Sequence, residues 1–125
     1  MCDAIEIELV VCTTCRMSAD GTGAQQPLRD GARLSAALSA RGIPHVRQEC
    51  LSACRRGCVV VLRGRGRWTY LQGGLDPDCD LDALETMTAA YRAAPAGFLP
   101  WRERPESLRR NIIARIPPME PKNEP

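Results

Sequence analysis

The chain has 125 residues, a formal net charge of +2 and seven cysteines. This length fits one domain with a modest core, and the near balance of charge gives no indication of nucleic-acid or membrane-surface binding. The sequence has no apolar run near the roughly 18 residues of a membrane span, and its acidic, alternating start differs from a signal peptide. We therefore expect a cytoplasmic protein, in which clustered cysteines more often hold metal than form disulfides.

The first half of the chain has the pattern of a strand, a helix and a second strand. Apolar and acidic residues alternate over 5–11, as in a half-buried strand that runs into Cys12. Apolar residues at helical spacing predict a helix over 28–41 after a Gly-containing loop. Residues 43–49 then predict a short edge strand that leads to Cys50.

The next part of the chain has the pattern of a β-hairpin followed by a helix. Residues 59–62 predict a buried strand, 64–66 a tight hairpin turn and 67–71 the partner strand. Apolar residues on one helical face then predict a helix over 81–91.

The C-terminal part is rich in proline and arginine over 94–118. A short helix is predicted over 112–116, through three isoleucines, and the tail 119–125 is expected to be disordered. The arginines fit a solvated face, but their mixture with Phe98, Trp101 and prolines leaves a partner-docking role open.

The order of these elements predicts an α/β fold. A β-α-β start followed by a β-hairpin and a helix is typical of the thioredoxin-like arrangement, with a mixed four-stranded sheet flanked by helices. We therefore predict a thioredoxin-like domain over 1–93, a Pro/Arg-rich C-terminal extension with a short helix over 94–118, and the tail over 119–125.

Two short segments at the ends of predicted strands carry five thiols, one more than a four-ligand site needs: Cys12, Cys15, Cys50, Cys54 and Cys58. Iron–sulfur clusters bind thiolates on short irregular loops, where several sulfurs face one point and accept backbone N–H bonds. Nearby arginines, at positions 16, 55 and 56, would offset the negative charge of such a cluster. The pattern favours an iron–sulfur site.

Two rival site types stay open on spacing alone. A four-thiolate zinc site also joins two distant cysteine pairs, although zinc sites more usually repeat C-x2-C and Cys50 and Cys54 are three residues apart. A thioredoxin-type redox pair at Cys12 and Cys15 would need its first thiol at a helix N-terminus, where the sequence predicts a loop. Two cysteines outside both segments are interpreted as plain residues: Cys2 and Cys79.

The chain resembles the thioredoxin-like [2Fe–2S] ferredoxins over about residues 5–91. The likeness lies in the apolar strand that ends at Cys12, in the segment Cys50–Gly57, in the strand at 59–62 and in the hairpin that leads to 68–70. It implies four cluster ligands and one reserve ligand: Cys12, Cys15, Cys50 and Cys54, with Cys58 in reserve.

The resemblance implies an electron-transfer protein rather than an enzyme. It would be a homodimer that takes an electron from a reductase and passes it to a partner enzyme, without a nucleic-acid or membrane partner. The whole chain, including Pro100–Arg102 and the end at 114–118, also resembles predicted metal-binding proteins associated with bacterial cobalamin biosynthesis. The alternative function is a four-thiolate protein that binds or delivers zinc or another metal. Donor, acceptor, pathway, reduction potential, fourth ligand and oligomeric state stay open from the sequence.

Overall fold

The computed structural model describes residues 7–14, 30–51 and 57–119, and it has a mixed α/β fold, as predicted. The described elements are β1 (Ile7–Cys12), α1 (Asp30–Ala40), β2 (Val46–Gln48), β3 (Val60–Gly64), β4 (Thr69–Gln72), α2 (Leu81–Ala93) and β5 (Ile112–Ile116). Three short 3₁₀ turns lie between α2 and β5: Pro95–Gly97, Trp101–Glu103 and Arg109–Asn111. In this part of the chain, no helix is both long and apolar enough to cross a membrane.

The strands form one sheet in the order β2-β1-β3-β4-β5. β1 and β2 are parallel, so their C-terminal ends lie at the same edge, and the other neighbouring pairs are antiparallel. The predicted hairpin between β3 and β4 is confirmed, with the Arg67 N–H donating to the Gly64 carbonyl at 3.2 Å. Because β3 runs antiparallel to β1, and β4 antiparallel to β3, the start of β3 and the end of β4 lie at the same edge of the sheet as the ends of β1 and β2.

The fifth strand corrects two predictions. The sheet has five strands rather than four, and residues 112–116 form β5 rather than a short helix. β5 pairs with β4, with Thr69 opposite Ile116 and Leu71 opposite Ala114. Ile112 packs against the main core and Ile113 against a cluster on the other face, which is the period of a strand. Isoleucine favours strands, and the open edge of β4 offers hydrogen bonds that a helix here would leave unused.

Both helices pack on the same face of the sheet and build the main core. Leucines of α1 and the apolar face of α2 meet the alternate strand residues that point towards them: Leu34, Leu38, Leu84, Met87, Tyr91, Leu9, Val11, Val60, Leu62 and Tyr70. Leu99 and Leu108, from the predicted extension, belong to the same core. A smaller cluster, formed by Cys12 and Val59 with Leu51 and Ile113, lies on the opposite face.

Tyr70 ties the segment after α2 to this core. Its hydroxyl accepts a hydrogen bond from the Leu99 N–H at 2.9 Å, and both residues are fully buried. Tyr70→Phe leaves that N–H without a partner in apolar surroundings, so we expect the free energy of unfolding to fall by about 1–3 kcal/mol. Urea denaturation measures the change, and an unaltered midpoint would show that this hydroxyl does not hold Leu99 in place.

Candidate metal centre

The two cysteine segments begin at neighbouring strand ends. Cys12 is the last residue of β1, fully buried, and in register with Gln48 at the end of β2. The Thr13 N–H donates to the Gln48 carbonyl at 2.8 Å, so the chain after β1 stays beside the chain after β2. Cys50 is exposed and follows β2 by two residues. The first cysteines of both segments therefore lie at one edge of the sheet.

The Cys12 side chain faces the segment that carries Cys50. Its Sγ lies 3.8 Å from the Glu49 carbonyl oxygen and 3.8 Å from the Thr14 hydroxyl oxygen. The Thr14 hydroxyl also donates to the Glu49 carbonyl. Leu51, directly after Cys50, packs against Cys12 and its neighbour Val59. In this arrangement the Cys12 thiol donates to the Glu49 carbonyl, so its sulfur is directed towards the chain that leads into Cys50.

The first turn of α1 packs directly on the backbone of Cys12. A Cβ atom at Gly31 would lie 1.9 Å from the Cys12 carbonyl oxygen and 3.1 Å from the carbonyl carbon of Thr13. Only glycine allows this approach. The contact places the positive N-terminal end of the helix dipole beside the sheet edge that carries the cysteines.

Arg33 links the starts of the two helices at this edge. Its guanidinium donates to Asp30 in α1 at 2.8 Å and to both carboxylate oxygens of Asp78, before α2, at 2.9 and 2.8 Å. These hydrogen bonds, first Asp78 and then Asp30, raise the pKa of Arg33 above its usual value. Sequence reasoning missed this bridge because Arg33 and Asp78 are 45 residues apart and no local pattern pairs them.

Cys58, the reserve ligand, lies on the other face of the sheet from Cys12. It is fully buried in the main core, and the peptide bond between Gly57 and Cys58 is cis. The Leu75 N–H donates to its carbonyl at 3.1 Å. Burial, and then the charge of Asp30, raise the pKa of the Cys58 thiol to about 12. This environment disfavours the thiolate that a ligand needs, so Cys58 fits a core role better.

We expect Cys58 to resist alkylation in the folded protein. With a pKa of about 12, roughly one Cys58 thiol in ten thousand is ionised at pH 8. Exposed Cys79 serves as the internal reference for labelling. Iodoacetamide treatment followed by peptide mapping should show Cys79 modified and Cys58 modified only after unfolding in urea. Similar rates at the two residues would place Cys58 at the surface.

The other two predicted ligands, Cys15 and Cys54, lie outside the described residues. Within the described part, no group of three or more His, Cys, Asp or Glu side chains is arranged to hold a metal ion. The single histidine, His45, is engaged through both ring nitrogens, by the Ser35 hydroxyl at 2.7 Å and the Ile43 carbonyl at 2.9 Å. The described donors at this edge that suit a soft metal are thus the thiols of Cys12 and Cys50.

A comparison with protein families gives a match over most of the chain. The model for "Protein of unknown function (DUF1636)" matches residues 9–118, which include both cysteine segments and β5. No curated protein and no solved structure matches the chain. Because the family model covers most of its length, the chain belongs to the DUF1636 family of proteins of unknown function.

Proposed function

We propose that this protein is a one-electron carrier that holds a [2Fe–2S] cluster through four thiolates: Cys12, Cys15, Cys50 and Cys54. The observation that carries the proposal is the placement of Cys12 and Cys50 at the adjacent C-terminal ends of two parallel strands. Leu51, directly after Cys50, packs against the cluster of Cys12 and Val59, so the start of the second segment lies against the end of β1. Two remote segments that converge in this way can supply four sulfurs to one cluster.

The environment of the two described ligands suits electron transfer. Cys12 is buried, which shields its sulfur from water, whereas Cys50 is exposed, which keeps the site near the surface. When bound, the cluster supplies a reversible one-electron couple. The protein supplies the thiolates and, in the cluster that contains Cys12, the apolar side chains of Val59, Leu51 and Ile113.

The rest of the proposal draws on the resemblance as well as on the fold. The order β1-α1-β2-β3-β4-α2 supports a thioredoxin-like domain, to which β5 adds an edge strand beside β4. We further propose a cytoplasmic homodimer with two kinds of protein partner, a reductase and an acceptor enzyme. The proposal that the acceptor belongs to cobalamin biosynthesis is supported only by the resemblance of the whole chain to predicted metal-binding proteins associated with that pathway.

Anaerobic purification tests the cluster directly. We expect a red-brown protein with visible charge-transfer bands, about two iron and two sulfide ions per chain, and an electron paramagnetic resonance signal on reduction. A colourless protein with one zinc ion would replace the proposal with a zinc-binding role. A metal-free protein with disulfide reductase activity would replace it with dithiol chemistry.

A further inference from the structure

The segment from Phe98 to the end of β5 carries a concentrated positive charge. Residues 98–116 contain five arginines and two glutamates, a net charge of +3, whereas the whole chain has a net charge of +2. Part of this segment forms what we call the arginine surface: Trp101, Arg102, Arg104, Arg109 and Arg110. Trp101 is 50% exposed, and Arg102 and Arg110 are also exposed. An exposed tryptophan among arginines is the composition of an interaction hot spot.

Two arginines of this surface are fixed in place around Trp101. The guanidinium carbons of Arg104 and Arg109 lie 5.8 and 6.0 Å from the centre of the Trp101 ring system. Arg104 Nε donates to the Leu99 carbonyl at 2.9 Å, and Arg109 donates to the carbonyls of Arg104 at 3.0 Å and Arg102 at 3.2 Å. Ordering such long side chains normally opposes binding, and here the fold has already ordered them.

The positive charges of the arginine surface have no acidic partner among residues 7–14, 30–51 and 57–119. By contrast, Arg33, Arg41 and Arg63 each form an ion pair with an aspartate or glutamate. A guanidinium has five N–H donors, and the observed carbonyl bonds use one in Arg104 and two in Arg109. Donors therefore remain for carboxylates from another molecule.

We propose that the arginine surface binds an acidic region of a partner protein, with Trp101 as the apolar anchor. Arginine pairs with carboxylates through two parallel hydrogen bonds, which gives both affinity and orientation. A nucleic acid fits less well because exposed Glu103 and Glu106 lie in the same segment and the whole chain is nearly neutral.

The arginine surface is linked to the candidate metal centre through the start of β5. Arg110 precedes Ile113 by three residues, about 10 Å of extended chain at most, and Ile113 packs against the cluster formed by Cys12 and Val59. The turn between them is anchored by the Gly73 N–H, which donates to the Asn111 carbonyl at 2.8 Å. A docked partner would therefore lie near β5, with β4 and β3 between it and the strand that ends at Cys12. The binding itself needs no metal and stands apart from the proposed electron transfer.

The test uses the full chain and two fluorescein-labelled probes, polyglutamate and an oligothymidylate of equal net charge, followed by fluorescence anisotropy. We expect Arg102→Ala with Arg110→Ala to weaken polyglutamate binding about tenfold, because both side chains are exposed contact groups. The matched control, Arg47→Ala with Arg65→Ala, removes the same charge from exposed arginines elsewhere and should change affinity less than about twofold. Melting temperatures verify that both double variants are folded.

Four outcomes would overturn the proposal. Equal losses in the two double variants would mean that polyglutamate responds to net charge and not to this surface. Tighter binding of oligothymidylate than of polyglutamate would assign the surface to nucleic acid. Unchanged polyglutamate binding in Trp101→Ala would show that Trp101 is not the anchor. No polyglutamate binding at low salt would show that the arginine surface is not a binding site.

Discussion

Replacing Cys12 with serine is expected to abolish the iron–sulfur cluster and leave the fold intact. Serine has nearly the same size, so it should fill the buried position of Cys12 beside Val59. The serine hydroxyl, however, is a poor ligand for the iron of a cluster, because this iron prefers thiolate sulfur. Iron content and visible absorption of the anaerobically purified variant should fall to near zero, while the melting temperature of the metal-free protein changes little.

Variants of three other cysteines control this experiment. Cys79→Ser should keep full iron, because Cys79 is exposed in the turn before α2. Cys15→Ser should lose the cluster and Cys58→Ala should keep it, since burial in the main core disfavours a Cys58 thiolate. The reverse result would make Cys58 the fourth ligand. Full iron in Cys12→Ser would refute the ligand set.

Most of the sheet and both helices were predictable because their patterns are local. Alternation in β1, helical spacing in α1 and α2, and the glycines of the β3–β4 hairpin each depend on neighbours a few residues apart. The strand predicted over 59–62 is β3, Val60–Gly64, with bounds shifted by one or two residues.

β5 could not be predicted in this way. Its isoleucines at 112, 113 and 116 have a spacing that a helix also allows, and the turns on either side do not decide between the two. Residues 112–116 form a strand because β4 has a free edge with which they can pair. The sequence of these five residues gives no information about that edge. A tertiary partner overrides the local pattern at this point.

The sequence predicted which side chains could form the candidate centre, but it did not predict how deeply each cysteine is buried. Spacing identified the thiols and their strand ends, and the parallel pairing of β1 with β2 explains why Cys12 and Cys50 share an edge. The sequence named Cys50 as a ligand and kept Cys58 in reserve, but it did not predict that Cys58 is buried and Cys50 exposed. The alternation of side chains along a strand could have predicted the burial of Cys58. Residues two apart point to the same face, and Val60, two residues after Cys58, faces the helices.

The contact between α1 and Cys12 leads to a second large expected effect, in Gly31→Ala. By helix propensity alone, alanine would stabilise α1 by about 1 kcal/mol. The added Cβ, however, would lie 1.9 Å from the Cys12 carbonyl oxygen, and the next nearest atoms are also backbone, which cannot rotate away. Relief requires α1 to move off the sheet together with Leu34 and Leu38. We expect a loss of at least about 3 kcal/mol in the free energy of unfolding, measured in urea.

Gly42→Ala is the matched control for this substitution. Gly42 follows the same helix with φ 75°. Among the described residues other than its chain neighbours, no atom lies within 4 Å of its Cβ position, so alanine there should cost only about 1–2 kcal/mol of backbone strain. Because the Gly31 contact lies on the backbone of a proposed ligand, any folded Gly31→Ala protein should also bind less iron, whereas Gly42→Ala should bind the normal amount. Equal stability losses in the two variants would mean that the first turn of α1 does not lie on Cys12. Normal iron in a strongly destabilised Gly31→Ala protein would instead separate this packing contact from metal binding.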